Sequence, residues 1–155
     1  MIVFRSSKSE YTKDLSGRGS ERSGGRWNSK GTPLLYTSAS RALCTIEIAV
    51  HTPLGNIPTD YQIISIEIPD DVNITELKAP DLPVDWKTFP HSHSTQEIGD
   101  NFVASGKFLV MKVPSVVIDG EYNYLVNPNH IDFTKIKIKL IEPFLFDERF
   151  LSNNL

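Results

Sequence analysis

Apolar residues recur along this chain in short runs, and the runs follow two different periods. Ile2 to Arg5 has an extended pattern and predicts a first strand. Pro33-Leu34-Leu35-Tyr36-Thr37 is a nearly continuous apolar run, the form taken by a short buried strand. Ala39, Ala42, Leu43, Ile46, Ala49 and Val50 instead follow a 3.6-residue period, so residues 39–50 predict a helix. Ser38 is placed to cap its start, and Pro53 follows its end. Beyond Pro53 the pattern is mostly extended. Tyr61 to Ile68 predicts a strand, and Phe108 to Val113 another that stops at Pro114. Val116–Asp119 and Tyr122–Val126 flank Asp119-Gly120, a hairpin signal. Ile136, Ile138 and Leu140 alternate with Lys137 and Lys139, a strand with one wet face that Pro143 to Phe146 can continue. Ser94 to Ala104 predicts a short helix.

Between these elements lie two long polar stretches. Residues 6–32 hold five glycines and predict a loop. Loops of this length inside a compact domain are usually functional or disordered. Residues 79–95 hold Pro80, Pro83 and Pro90 and predict a second loop. No repeat or low-complexity segment interrupts the order of elements. The expectation is one α+β domain over residues 1–155, with a mixed or antiparallel β core and a few helices.

Composition narrows the class. With 39% hydrophobic and 23% charged residues, the 155-residue chain has the makeup of a globular domain. A formal net charge of −3 gives no global basic surface for nucleic acid, although Arg18, Arg22, Arg26 and Lys30 form a local basic cluster. The single Cys44 excludes an intrachain disulfide, and no run approaches the roughly 20 apolar residues of a membrane span. A cytoplasmic protein without membrane contact is expected.

The candidate chemistry centres on Gly24-Gly25-Arg26-Trp27-Asn28, followed by Tyr36 and Glu47. The glycines form neither a P-loop nor a dinucleotide fingerprint, since position 22 is Arg and no G-x-x-x-x-G-K-[ST] occurs. Two glycines let backbone approach a ligand closely, and Arg26 offers a planar fork for phosphate. Glu47 falls at the edge of the helix's apolar stripe, beside Leu43 and Val50, which predicts a half-buried carboxylate. Singly, Tyr36 reads as a packed strand tyrosine and Glu47 as a surface ion pair. Together with Arg26 they describe a site for a phosphorylated, cationic ligand. A pure anion site gains nothing from a nearby carboxylate, which argues for chemistry over a non-catalytic phosphate- or partner-binding module. His91 and His93 lack neighbouring ligands for a metal, so no metal site is expected. Cys44 reads as a packing residue, and Asn123, Asn127 and Asn129 as turn chemistry, with Asn127-Pro128 also able to shape a pocket wall.

These residues, spaced as Gly24-Gly25-Arg26-Trp27-Asn28, Gly31, Tyr36-Thr37-Ser38, Ala42 and Glu47, resemble the RES domain. Val113-Pro114-Ser115, Asn123-Tyr124-Leu125-Val126-Asn127-Pro128 and His130 look like its second signature, and Phe144-Leu145-Phe146-Asp147 with Arg149 like its C-terminal end. The resemblance runs over about residues 2–150. It implies an ADP-ribosyltransferase-like fold and a toxin of a type II toxin–antitoxin module that degrades NAD by hydrolysis or phosphorolysis of the nicotinamide–ribose bond. Some members are reported to ADP-ribosylate a protein. It implies an Xre-like helix-turn-helix antitoxin as partner, DNA contact only through that antitoxin, a dimer within the assembly, and NAD as substrate with no prosthetic group. The family's catalytic residues fall on Arg26, Tyr36, Glu47 and Ser115. NAD contacts are implied at Arg5, Arg26, Trp27, Asn28, Tyr36 and Asn127. Whether water, phosphate or a protein receives the ADP-ribose stays open.

Overall fold

The structure, a computed structural model, describes residues 1–53, 56 and 59–150. One mixed sheet of seven strands organises them: β1 (Ile2–Lys8), β2 (Leu35–Ser38), β3 (Tyr61–Glu67), β4 (Ile74–Glu76), β5 (Val110–Pro114), β6 (Tyr122–Val126) and β7 (Lys137–Phe144). Their order across the sheet is β4-β5-β6-β2-β1-β3-β7. Every pairing is antiparallel except that of β4 with β5. Three helices accompany it: α1 (Arg18–Ser23), α2 (Arg41–His51) and α3 (His93–Ser105). Among the described residues no helix is long and apolar enough to cross a membrane.

The central strands are apolar on both faces, and the period of two sorts their side chains into two cores. Val110 and Val126 join Val3, Leu35, Ile64 and Ile66 on one side. Their neighbours Met111, Val113 and Leu125 join Trp27, Leu34, Phe102 and Val103 on the other. This double burial is why Leu34-Leu35 and Leu109-Val110-Met111 appear as continuous apolar runs.

Several elements differ from expectation for identifiable reasons. Ser38 does not cap α2. It is a residue of β2, paired with Phe4 on one side and Asn123 on the other. The cap is Ser40, which accepts a hydrogen bond from the Leu43 amide at 3.1 Å. The stretch 6–32 is not all loop: β1 continues to Lys8, and α1 forms within it. Ser20 holds α1 in place by a tertiary contact, its hydroxyl donating to Leu34 O at 2.6 Å and accepting from Leu34 N at 3.1 Å. Residues 116–119 are not a strand. The hairpin partner of β6 is β5, because the Ser115 hydroxyl captures the Val117 and Ile118 amides, each at 3.1 Å, and withdraws them from any ladder. β4, only three residues long, leaves too short a pattern to see.

Candidate active site

The Gly24–Asn28 segment is held by hydrogen bonds with Tyr36 and with helix α3. Gly24 ends α1 with φ +69°, a conformation suited to glycine. Gly25 serves a different need: a Cβ there would lie 2.7 Å from the Tyr36 hydroxyl and 3.0 Å from Asn28 Oδ1. Gly25 therefore admits the close approach of Tyr36 and Asn28, where the sequence suggested close approach of a ligand. The Tyr36 hydroxyl donates to Asn28 Oδ1 at 2.6 Å and accepts from the Trp27 amide at 3.0 Å. Burial pushes its pKa up, so it stays a neutral phenol. Asn28, fully buried, donates to Ser20 O at 2.8 Å and to Thr32 O at 2.9 Å.

Helix α3 clamps the same segment. Gln96 Nε2 donates to Gly25 O at 2.9 Å, and the Ser29 amide donates to Asp100 Oδ1 at 2.9 Å. Gly99 lies between them, so close that a Cβ would fall 1.5 Å from Trp27 O. Gly99→Ala must push α3 away from the Arg26-Trp27 backbone. It is expected to destabilise the protein by about 1–3 kcal/mol or more, read from urea unfolding. An unchanged midpoint would contradict the contact. Gln96, Gly99 and Asp100 carried no signal in the sequence, because only packing brings α3 to the glycine loop.

Glu47, one turn before the end of α2, is half-buried, with its side chain 24% exposed. Its Oε1 accepts from Asn123 Nδ2 at 2.9 Å and from the Ser115 hydroxyl at 3.3 Å. Its Oε2 lies 3.9 Å from His51 Nε2. Asn123, read from the sequence as turn chemistry, lies within β6. The available signal was its strand position: it alternates with Tyr122 and Tyr124, which places a polar side chain on the same face of β6 as the fully buried Leu125. Its Oδ1 is buried with no hydrogen-bond partner among the described residues.

Two cavities meet at Glu47. The larger, about 530 Å³, is lined by Arg26, Trp27, Tyr36, Glu47, Lys87, Phe89, His91 and Asn123. The other, about 350 Å³, is lined by Arg5, Asp14, Arg18, Ser20 and Cys44, and shares Tyr36, Glu47, His51 and Asn123 with the first. The structure thus brings Arg26, Trp27, Tyr36 and Glu47 together around one cavity and sets Arg5 in the other, which Glu47 also lines. Ser115 is 3% exposed and touches Glu47 from behind. Asn28 and Asn127 line neither cavity. Asn28 knots the glycine loop, while Asn127, fully buried, donates to Val103 O at 3.2 Å and accepts from the Asn129 amide at 2.9 Å.

Arg26 does two things at once. Its Nη1 donates to Trp86 O at 2.7 Å and Thr88 O at 2.9 Å, tethering the proline-rich segment that carries Lys87, Phe89 and His91. No described residue accepts from Nε or Nη2, which stay available for an anion. Burial lowers its pKa, opposed by the charge of Glu47 and by Tyr36; arginine remains cationic throughout. Burial, with Arg26 and His51 nearby, also lowers the pKa of His91. The Cys44 thiol is pushed up to about 11, chiefly by burial, which makes it an inert packing group. Among the described residues no group of three or more His, Cys, Asp or Glu side chains is placed to hold a metal ion.

Comparison with known proteins places the chain in a family. The chain is 36% identical over 140 residues to the Prs ADP-ribosylating toxin of Sphingobium sp. (strain YBL2), covering 89% of this chain and 87% of that protein. It is 33% identical over 152 residues to a toxin Res of Yersinia enterocolitica, covering 96% and 99% respectively. The crystal structure of the MbcT–MbcA toxin–antitoxin complex of M. tuberculosis contains a chain of the same fold, with TM-score 0.73 and 20% identity over 93% of this chain and 84% of that one. The RES domain model matches residues 2–147, and with the glycine-loop arginine, strand tyrosine and helix glutamate assembled around one cavity, this chain belongs to the RES domain family.

Proposed function

We propose that this protein is the toxin of a toxin–antitoxin pair and that it cleaves NAD between nicotinamide and ribose. The observation that carries the reading is Glu47: a half-buried carboxylate with one oxygen already saturated by two donors, on the wall shared by two cavities that each hold an arginine. Nicotinamide leaves as a neutral ring while positive charge grows on the ribose, so little acid catalysis is needed. A fixed negative charge beside C1 stabilises that state more than the ground state. Arg26, with Nε and Nη2 given no acceptor by the described residues, holds the pyrophosphate. Tyr36 packs against nicotinamide or its ribose. Ser115, buried behind Glu47, aims the carboxylate instead of touching the substrate. Arg5, in the other cavity that Glu47 lines, reaches the other end of the dinucleotide.

The relatives' names support both halves of this reading, one being called an ADP-ribosylating toxin and others toxin Res. An NAD-consuming toxin needs restraint, and the partner is an Xre-like helix-turn-helix antitoxin that covers the cavity and makes any DNA contact. This suits a toxin of net charge −3 in the cytoplasm. The acceptor is the open variable, and transfer to a protein is favoured as a second reading by the name of the Sphingobium relative. Purified protein incubated with NAD, with and without inorganic phosphate, should release nicotinamide. ADP-ribose is the expected partner product with water, ADP-ribose phosphate with phosphate, and a labelled protein band with transfer. Intact NAD both with and without phosphate would overturn the proposal.

A further inference from the structure

We infer that Asn123 is a positioning residue for Glu47, acting with Ser115 to select which of its two carboxylate oxygens faces the substrate. The inference rests on the reading that Glu47 carries the chemistry. Asn123 Nδ2 donates to Oε1 at 2.9 Å, and Ser115 donates to the same oxygen at 3.3 Å. The Ser115 hydroxyl itself accepts from two backbone amides, so its proton is directed at Glu47. With both donors on Oε1, Oε2 is left, among the described residues, with only the loose approach of His51 at 3.9 Å and is the oxygen open to a ligand.

The orientation of the Asn123 amide supports this. Its Oδ1 is buried and has no partner among the described residues. Turning the amide over would relieve nothing, because it would set oxygen against a carboxylate oxygen. The unsatisfied atom is therefore the consequence of giving Nδ2 to Glu47, and a buried unsatisfied atom in a native site calls for such an explanation. The support is stiff: Asn123 is paired with Ser38 in the middle of the sheet, whereas Glu47 rides on a helix. The strand thus sets the rotamer of a carboxylate that the helix alone would leave free.

Asn123→Asp is nearly isosteric and replaces the donor with a second carboxylate against Glu47. NAD cleavage at pH 8 should fall at least about tenfold in kcat, because the transition-state contact is misaimed; the added charge also raises KM for a net-negative ligand, so the KM criterion, a value within about twofold of wild type, belongs to the uncharged Asn123→Ala. Acidification from pH 8 towards pH 5 should restore activity in this variant, since two adjacent carboxylates share one proton and the shared proton supplies the missing donor. His51 and His91 on the same walls are present in both proteins, so the wild-type profile is the control. Asn123→Ala, which adds no charge, should lose kcat with no recovery at low pH. It serves as the second variant if Asn123→Asp does not fold. Wild-type kcat in either folded variant, or a loss confined to KM, would overturn the inference. If Glu47→Gln is inactive in the same assay while both Asn123 variants are fully active, the positioning role fails and the NAD-cleaving reading stands. If Glu47→Gln itself is fully active, that reading fails.

Discussion

Glu47→Gln is expected to lower NAD cleavage by about a hundredfold or more and to abolish growth arrest on expression. Glutamine keeps the length and shape of the side chain, and its carbonyl oxygen still accepts from Asn123 and Ser115, so the fold should survive. What disappears is the negative charge at the shared wall of the two cavities. A charge that stabilises the ribose cation is worth most in a partly desolvated site, and Glu47 is in one. The loss should appear in kcat, with NAD affinity unchanged or slightly improved, because NAD carries net negative charge before the bond breaks. Measuring kcat and KM separately, beside a thermal melt, checks this. A melt like wild type with turnover like wild type would remove Glu47 from the mechanism.

Arg26→Lys should be nearly as damaging, although it preserves charge. The guanidinium reaches two carbonyls of the proline-rich segment from one nitrogen and keeps two more nitrogens for an anion. A lysine ammonium is a single point and cannot do both. Hydrogen bonds to a charged group contribute about 1.5–3 kcal/mol each when shielded, and the exposed one at Thr88 less. The variant should therefore show two linked losses: an NAD KM raised at least about tenfold, and faster hydrogen exchange across residues 85–91. A raised KM with unchanged exchange would mean that Arg26 binds substrate but does not hold the segment. Unchanged KM and turnover would exclude it from the site.

The elements most legible in the sequence were those whose burial is one- or two-sided and regular. The α2 stripe and the β2, β3, β5 and β6 runs gave their types and nearly their bounds. Glu47 was legible because a carboxylate at the edge of an apolar stripe is chemically conspicuous, and its side chain is indeed half-buried. Trp27 and Arg26 were marked by the unusual Gly-Gly before them. Ser115, by contrast, was marked by family resemblance, and its geometry places it behind the carboxylate. Asn28 looked like a ligand contact, yet its side chain is buried in the loop, with Nδ2 directed at the Ser20, Ser29 and Thr32 carbonyls and Oδ1 accepting from Tyr36.

Periodicity and residue chemistry specify which side chains lie inside, which helix carries the carboxylate and which residue types the site contains, since these follow from burial along a single element. They are silent on which elements meet. The sheet order, running β6-β2-β1, sets Asn123 beside Ser38 and Arg5 opposite Ile64. The docking of α3 against Trp27 pins a glycine-rich stretch from outside its own segment. The hold of Asn123 on Glu47 spans 76 residues and that of Arg26 on Thr88 spans 62. Contacts of that range leave no local pattern, because their free energy arises from packing whole elements together and not from the preference of any one segment.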